Sequence, residues 1–423
     1  MDTITTGIGG ALLAKAFFTD RFAPKGEGAA NPAAAGTAPA VPAETRTAGA
    51  EATKAVGLRP RWPASRTALW AFVLGSVFPD VDVFFDAFSS SPVASLVLHR
   101  GVTHSLVCLP GWALLLAALT RWASRGLRVA APSFRALLGL YAVALAFHIW
   151  TDLITSFGTM IWSPVAWTRV AWDLVFIIDF VFTAILLGPQ VAAWAHRRRE
   201  GVARRAVFGW LLLSGGAVGV WWLARAVGRP ISMSAVAVAS VLFFLLCIAP
   251  LWRGLGQRWS RAQWCRAGVA VFAGYMLACV LAHRLALSEV KRFAAERQLT
   301  VENLAALPAP PSLRNWTALV QTPEGVFRTT FRLPHHGPLQ PRFYPHTVPA
   351  ELAARVRQLP EVQTFLWFAR FPVLRHHEVQ GQHVVDLADL RFGLGDQDNP
   401  SAFTYRIVLD ARGNVLRSDW LED

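Results

Sequence analysis

Eight Asp and His residues stand where apolar runs begin or end, in four short stretches. FPDVDVFF carries Asp80 and Asp82, HRGVTHSL carries His99 and His104, HIWTDLITSFG carries His148 and Asp152, and WDLVFIIDF carries Asp173 and Asp179. Imidazole nitrogens mixed with carboxylate oxygens suit zinc first, then manganese or iron, better than calcium. His148 and Asp152 are four residues apart, so on a helix they share a face one turn apart. They can then meet one ion, or pair as a ligand and its supporting partner. Gly101 lets the chain turn between His99 and His104.

Each group has a plainer reading when taken alone. Asp80 and Asp82, after Pro79, could cap a helix end. His99 could be an interfacial histidine, and His148 with Asp152 an interhelical hydrogen-bond pair. Asp173 lies close enough to an interface to be solvated, whereas Asp179 would sit about 9 Å deeper along a helix. A charge at a membrane helix centre costs roughly 2.5–3.5 kcal/mol on insertion scales, so four such groups together point to a shared metal or proton site. His335, His336, His376 and His377 read as solvated pairs. No phosphate-binding glycine loop and no Gly-x-Ser-x-Gly elbow is present.

The elements that must position these residues are membrane helices. Over 423 residues the chain is 54% hydrophobic and 16% charged, with 18 Trp, a balance foreign to a soluble globular chain of this length. The net charge of +14 falls in short Arg clusters between apolar runs, which argues for topology signals and against a nucleic-acid partner. Cys108, Cys247, Cys265 and Cys279 lack the spacing of a disulfide framework or a zinc knuckle and read as small apolar fillers. A span needs ~20 mostly apolar residues. Runs near 67–85, 103–120, 136–157, 173–195, 206–224, 234–251 and 267–286 qualify, with a shorter one at 3–19 that carries Lys15.

The expected fold is thus an all-α polytopic membrane bundle of about 7–8 spans with a small C-terminal α+β extramembrane domain. Its parts are an N-terminal membrane or interfacial helix (1–19), a disordered Ala/Pro-rich cytoplasmic insert (20–66) and a motif-bearing membrane core (67–195). Further transmembrane helices (196–287) and a periplasmic α+β domain (288–423) follow, the latter with strands expected over Thr364–Val373 and Phe403–Leu409. The loops 121–135, 196–205 and 252–266 hold four or five Arg each and the intervening loops fewer, so the rich loops are cytoplasmic by the positive-inside rule. All four Asp/His stretches then come to the outer side, although only Arg and Lys were used to orient the chain.

Read in order, MDTITTGIGGALLAKAFF, LGSVFPDVDVFF, HRGVTHSL, HIWTDLITSFGTMIWSP and WDLVFIIDFVF resemble the YdjM-like family of membrane-bound, predicted metal-dependent hydrolases, a LexA-regulated inner-membrane protein family. The resemblance covers roughly residues 1–20 and 67–187. It implies a multi-pass protein of the bacterial inner (cytoplasmic) membrane and a hydrolase with a divalent metal cofactor. Asp80 and Asp82 match the family's Pro-Asp-x-Asp, His99 and His104 its His-Arg-Gly-x-Thr-His-Ser, and His148 with Asp152 its His-x-x-x-Asp. Thr6 stands where the family commonly has histidine, which implies one ligand fewer or a water in its place. The resulting expectation makes Asp82, His99, His104, His148 and Asp152 the metal ligands and Asp80 a ligand or general base. Asp179 and Asp173 would transfer protons or orient ligands. A site at the membrane edge favours a lipid or lipid-linked phosphoester as substrate. The same residues could instead serve a transporter or proton-coupled channel, or the chain could be a non-catalytic membrane scaffold.

Overall fold

The structure, a computed structural model, describes residues 1–23, 62–85, 88–89, 91–226, 231–392 and 403–421. The expected insert therefore lies, over residues 24–61, outside the described residues.

Helix α1 (Thr3–Leu13) is capped by the Asp2 carboxylate, which accepts from Thr5 N, and continues through a π-turn (Ala14–Phe18) and a 3-10 turn to Phe22. It packs among α2 (Ala64–Val77), α6 (Phe180–Ala195) and α10 (Arg261–Glu296). Helix α2 runs on as a 3-10 turn through Phe84, and the short α3 (Ala94–Leu98) leads to α4 (Leu109–Gly126) across a 72° bend. Helix α5 (Phe134–Leu153) packs between α2 and α4, while α7 (Val202–Ala226) and α8 (Met233–Cys247) form an outer pair on α6. A single turn, α9 (Leu255–Arg258), precedes α10.

Among the described residues five helical segments are long and apolar enough to cross a membrane: Ala64–Phe84, Phe134–Leu153, Val202–Ala226, Met233–Arg258 and Arg261–Glu296. Counting the bent pair Ala94–His104 and Leu109–Gly126 as one span gives six, fewer than the expected 7–8. The expected span 173–195 is shortened for a local reason. Asp173 has φ of 55°, a left-handed conformation that no α-helix passes through. Asp179 is extended and caps α6 by accepting from Val181 N and Phe182 N, so the helix starts at Phe180 and keeps only 16 residues. The run at 103–120 is broken because Val102–His104 form a 3-10 turn and Pro110 stands in the first turn of α4.

Helix α10 is 36 residues long, about 54 Å at helical rise, so it leaves the bundle and becomes the first layer of the C-terminal domain. Its Ala286, Val290 and Phe293 pack on Trp316, Ala318 and Val320 of an antiparallel sheet, β1 (Asn303–Ala309), β2 (Asn315–Thr322), β3 (Gly325–Arg332) and β4 (Arg342–Pro345). Alternate residues of that sheet, Ala305, Leu307 and Leu319, face Phe371, just before a second antiparallel sheet, and Val373 within that sheet. This one comprises β5 (Pro372–Val379), β6 (Gln382–Asp389), β7 (Thr404–Leu409) and β8 (Val415–Trp420). Its far face is covered by α11 (Ala350–Val356) and α12 (Pro360–Phe368), completing a helix, sheet, sheet, helix stack. The strand expected from Thr364 is helical up to Phe368. Pro360 opens the helix at its first position, and Val362, Phe365 and Phe368 recur every third residue toward the core.

Several contacts bring the motif-bearing end of the bundle and this domain together. Val93 and Leu96 insert into the core beneath α12, and Trp367 Nε1 donates to Trp167 O at 3.1 Å.

Candidate metal centre

The site is assembled where the C-terminal end of α2, the turn before α4 and the C-terminal end of α5 meet. That meeting is close because small residues allow it. A Cβ on Gly75 would stand 2.8 Å from Ala144 Cβ, and one on Gly10 would stand 2.3 Å from Ser76 Oγ. With α1, α2 and α5 this near, Ser76 O reaches His148 Nδ1 at 2.6 Å.

Four side-chain atoms converge. His104 Nε2 lies 3.1 Å from His148 Nε2, 3.0 Å from Asp152 Oδ2 and 3.6 Å from Asp80 Oδ1. His148 Nε2 lies 3.4 Å from Asp80 Oδ1 and 3.5 Å from Asp152 Oδ2. In a tetrahedron, ligand atoms stand about 1.6 bond lengths apart, or about 3.3–3.6 Å for metal bonds of about 2.0–2.2 Å. The five separations fall within a few tenths of an ångström of that spacing, so this group could hold one metal ion.

The proton inventory supports the fit. Ser76 O can only accept, so His148 Nδ1 carries its proton outward. His104 Nδ1 lies 3.0 Å from Asp82 Oδ2, which also accepts from Thr103 Oγ1 at 2.7 Å and from Arg100 N at 2.9 Å. With both Nδ1 protons committed, each ring in its neutral form would turn its Nε2 lone pair toward the other ring and toward two carboxylate oxygens. Four electron-pair donors then face one point, and the buried Asp152 Oδ2 has no hydrogen-bond donor of good geometry although His104 Nε2 is 3.0 Å away. A cation satisfies all four at once.

The surroundings hold each member in place. Arg100, 2% exposed, sets Nη2 3.1 Å from Asp152 Oδ1 and donates from Nη1 to Thr155 Oγ1 at 3.0 Å. The Met1 backbone nitrogen also donates to Asp152 Oδ1. Thr3 Oγ1 donates to Asp80 Oδ2 at 2.6 Å, leaving Oδ1 for the quartet. His104, His148 and Asp152 are fully buried, and Asp80 alone keeps some exposure, 13%.

The structure thus brings Asp80, His104, His148 and Asp152 together. Asp82 and His99 stand one layer farther out. Asp82 supports His104, and His99 Nδ1 is 2.9 Å from Asp82 Oδ1, with its ring against Phe157. Asp173 and Asp179 make their contacts elsewhere. Asp173 forms a two-pronged pair with Arg370 at 2.9 Å on each arm. Burial disfavours the Arg370 charge, but the Asp173 carboxylate outweighs it and holds the guanidinium above its ordinary range. Asp179 Oδ2 accepts from Tyr275 OH at 3.0 Å, from Ser312 N at 3.1 Å and from Ser312 Oγ. Both residues therefore tie the loop after α5 to the C-terminal domain and α10. Thr6, where the resemblance has histidine, donates to Asp2 O at 3.1 Å and is not in the quartet.

Arg100, Thr103, Thr3 and the Ser76 carbonyl are the supporting groups that spacing alone does not single out. Arg100 and Thr103 belong to the same HRGVTHS run as the histidines, which is their only signal in the sequence. Arg169 closes the motif loop from outside, donating to Gly158 O at 2.9 Å, to His99 O at 3.0 Å and to Leu96 O. Burial, with Arg100 and Arg391 nearby, pushes its guanidinium down to about 9.

Among known families, the one described as YdjM inner membrane protein matches the chain over residues 1–226. This is more than half of the chain, and the chain belongs to that family. It carries all four members of the quartet. No curated protein and no solved structure matches the chain.

Proposed function

From that membership and the geometry of the quartet, we propose that the chain is a membrane-bound, metal-dependent hydrolase. The observation that carries the reading is the tetrahedral spacing of His104 Nε2, His148 Nε2, Asp80 Oδ1 and Asp152 Oδ2, with both imidazole Nδ1 protons spent elsewhere. His104, His148 and Asp152 would hold the ion. Two imidazoles and a carboxylate are the donor pattern of hydrolytic zinc sites, with manganese or iron as the other metals suited to it. When bound, the ion supplies Lewis-acid polarisation of a phosphoryl or carbonyl group and lowers the pKa of water toward ~7.

The residues of the chain do the rest. Asp82 and Ser76 O orient the two imidazoles, and Arg100 fixes Asp152 through the oxygen that faces away from the quartet. Asp80 is the member that opens outward. Thr3 holds its Oδ2, so Oδ1 is aimed inward and serves as the base that takes a proton from the attacking water.

Asp80 also marks one end of an apolar groove of about 600 Å³ between α2 and α4, lined by Leu74, Phe84, Leu116, Leu119 and Tyr141. Tyr141 lies eleven residues before Asp152 on α5, about 16 Å down the helix. That depth is close to one leaflet of a ~30 Å hydrocarbon core. The groove supports a lipid or lipid-linked phosphoester that lays its acyl chain along α2 and α4 and its polar end at Asp80. The Arg-rich loops support a periplasmic orientation for the site and for the domain packed beside it.

Asp80→Asn tests the assignment. The purified chain in mixed micelles is to be assayed against phospholipids of several headgroups, with metal measured in the same samples. The expected result is metal content equal to that of the wild type and turnover reduced by about 10²–10⁴, as for loss of a general base. Loss of the metal together with the activity would make Asp80 a fourth structural ligand and the site a closed one. A metal-loaded wild type inert toward every phosphoester tried would contradict the substrate class.

A further inference from the structure

The second sheet carries another set of metal-ligating side chains, far along the sequence from the quartet. Strands β5 and β6 are joined by the two-residue turn Gln380–Gly381, with φ of 53° and 76°. Both residues having positive φ is the signature of a tight hairpin whose twist matches its strands, and such a turn leaves no slack in register. The register sets Glu378 directly opposite His383, with His376 two residues before Glu378 on the same face. All three side chains therefore project together.

Their ligand atoms meet. His376 Nε2 lies 3.1 Å from His383 Nδ1, and His383 Nδ1 lies 3.5 Å from Glu378 Oε1. These are again the separations expected of atoms sharing one ion at about 2.0–2.2 Å. The backbone holds the base of the cluster, because His376 N donates to Thr347 Oγ1 at 2.9 Å.

The position of the cluster in the sheet is informative. Leu374, Val385 and Leu387 lie on this same face and pack beneath α11 and α12. The hairpin carries the face beyond that cover, and there the side chains are two imidazoles and a carboxylate. His383 is 30% exposed and Glu378 64%, so water reaches the group from the open side. Two imidazoles and one carboxylate leave coordination positions for water, which makes an exchangeable site rather than a sealed structural one.

We propose that His376, Glu378 and His383 form a second, solvent-exchangeable site for a divalent transition metal of the zinc type, independent of the buried quartet. Its affinity comes from the pre-set hairpin. The reading does not depend on the chain being a hydrolase.

The test is titration of the full-length chain in detergent, first stripped with chelator, using Zn²⁺ and following binding by calorimetry. The wild type should bind in two classes, and His376→Gln with His383→Gln should remove one equivalent while the other is kept. Glu378→Gln leaves the hairpin and both imidazoles in place, so it guards against misfolding of the double variant. It should weaken the exchangeable class by about tenfold or more at unchanged melting temperature. Equal stoichiometry and affinities in the wild type and both variants would overturn the proposal and reduce the contact to a ring-to-ring hydrogen bond.

Discussion

The two histidine–carboxylate clusters have nearly the same ligand spacing and opposite settings. In the bundle, His104, His148 and Asp152 are fully buried, and every ring nitrogen that faces away from the quartet has a fixed acceptor. On the β5–β6 hairpin the two imidazoles are half-buried and Glu378 is exposed at the edge of the second sheet, and the strand register holds them in place. Separations near 3.3 Å are thus common to both. The supporting shell differs, and so does the consequence of losing a member. Burial makes an unpaired donor costly, so on the proposed reading the quartet would depend on an ion, whereas solvent could replace one on the hairpin.

The sharpest way to break this contrast is His148→Ala, which should abolish metal binding in the bundle and reduce hydrolysis to background, while the hairpin variants should leave hydrolysis unchanged. Activity assays on the two sets of variants, side by side, check this. Next in size is Asp82→Asn. It keeps the shape but weakens the acceptor for His104 Nδ1, and metal affinity or activity should fall by about 10–100-fold, measurable by competition with a chelator. Among the described residues no carboxylate plays that part at the hairpin. The smallest effect on metal binding and activity is expected at the seam between bundle and domain, where the loss is one of stability. Arg370→Ala leaves Asp173, 8% exposed, without its partner. The loss should be somewhat under the ~3–5 kcal/mol of a fully buried pair because Arg370 is 28% exposed. It should appear as a lower melting temperature with metal content unchanged.

What the sequence makes legible follows from which interactions are local. His148 and Asp152 are a helical i, i+4 pair, and Arg counting predicts that the helix ends share one side, so the members of the quartet are among eight candidates before any coordinates. Depth is not local. Periodicity says that Asp80 and Asp82 lie near one another but not that Asp80 Oδ1 faces the quartet while Asp82 turns to His104 Nδ1. Asp173 and Asp179 look like site residues because their partners, Arg370, Tyr275 and Ser312, lie about 100 to 200 residues away in the chain. The β5–β6 cluster is hidden for a related reason. His376 and His377 read as a solvated pair, yet strand alternation sends them to opposite faces, and only the register of the Gln380–Gly381 turn joins His376 to His383. The expected span count exceeds the five or six long apolar helices among the described residues in part because a left-handed residue and an N-cap within an apolar run leave no trace in hydropathy. The helix at Pro360–Phe368 is misread because its aromatic residues also suit a strand.

The most direct test of the central claim isolates the quartet. Metal content should be measured by mass spectrometry on full-length protein in detergent, with His376→Gln and His383→Gln already in place, with and without His148→Ala, each eluting as a folded, monodisperse species. About one equivalent of zinc, manganese or iron without His148→Ala, and none with it, is the result this account predicts. Equal metal in the two proteins, or none in either after reloading, would contradict it.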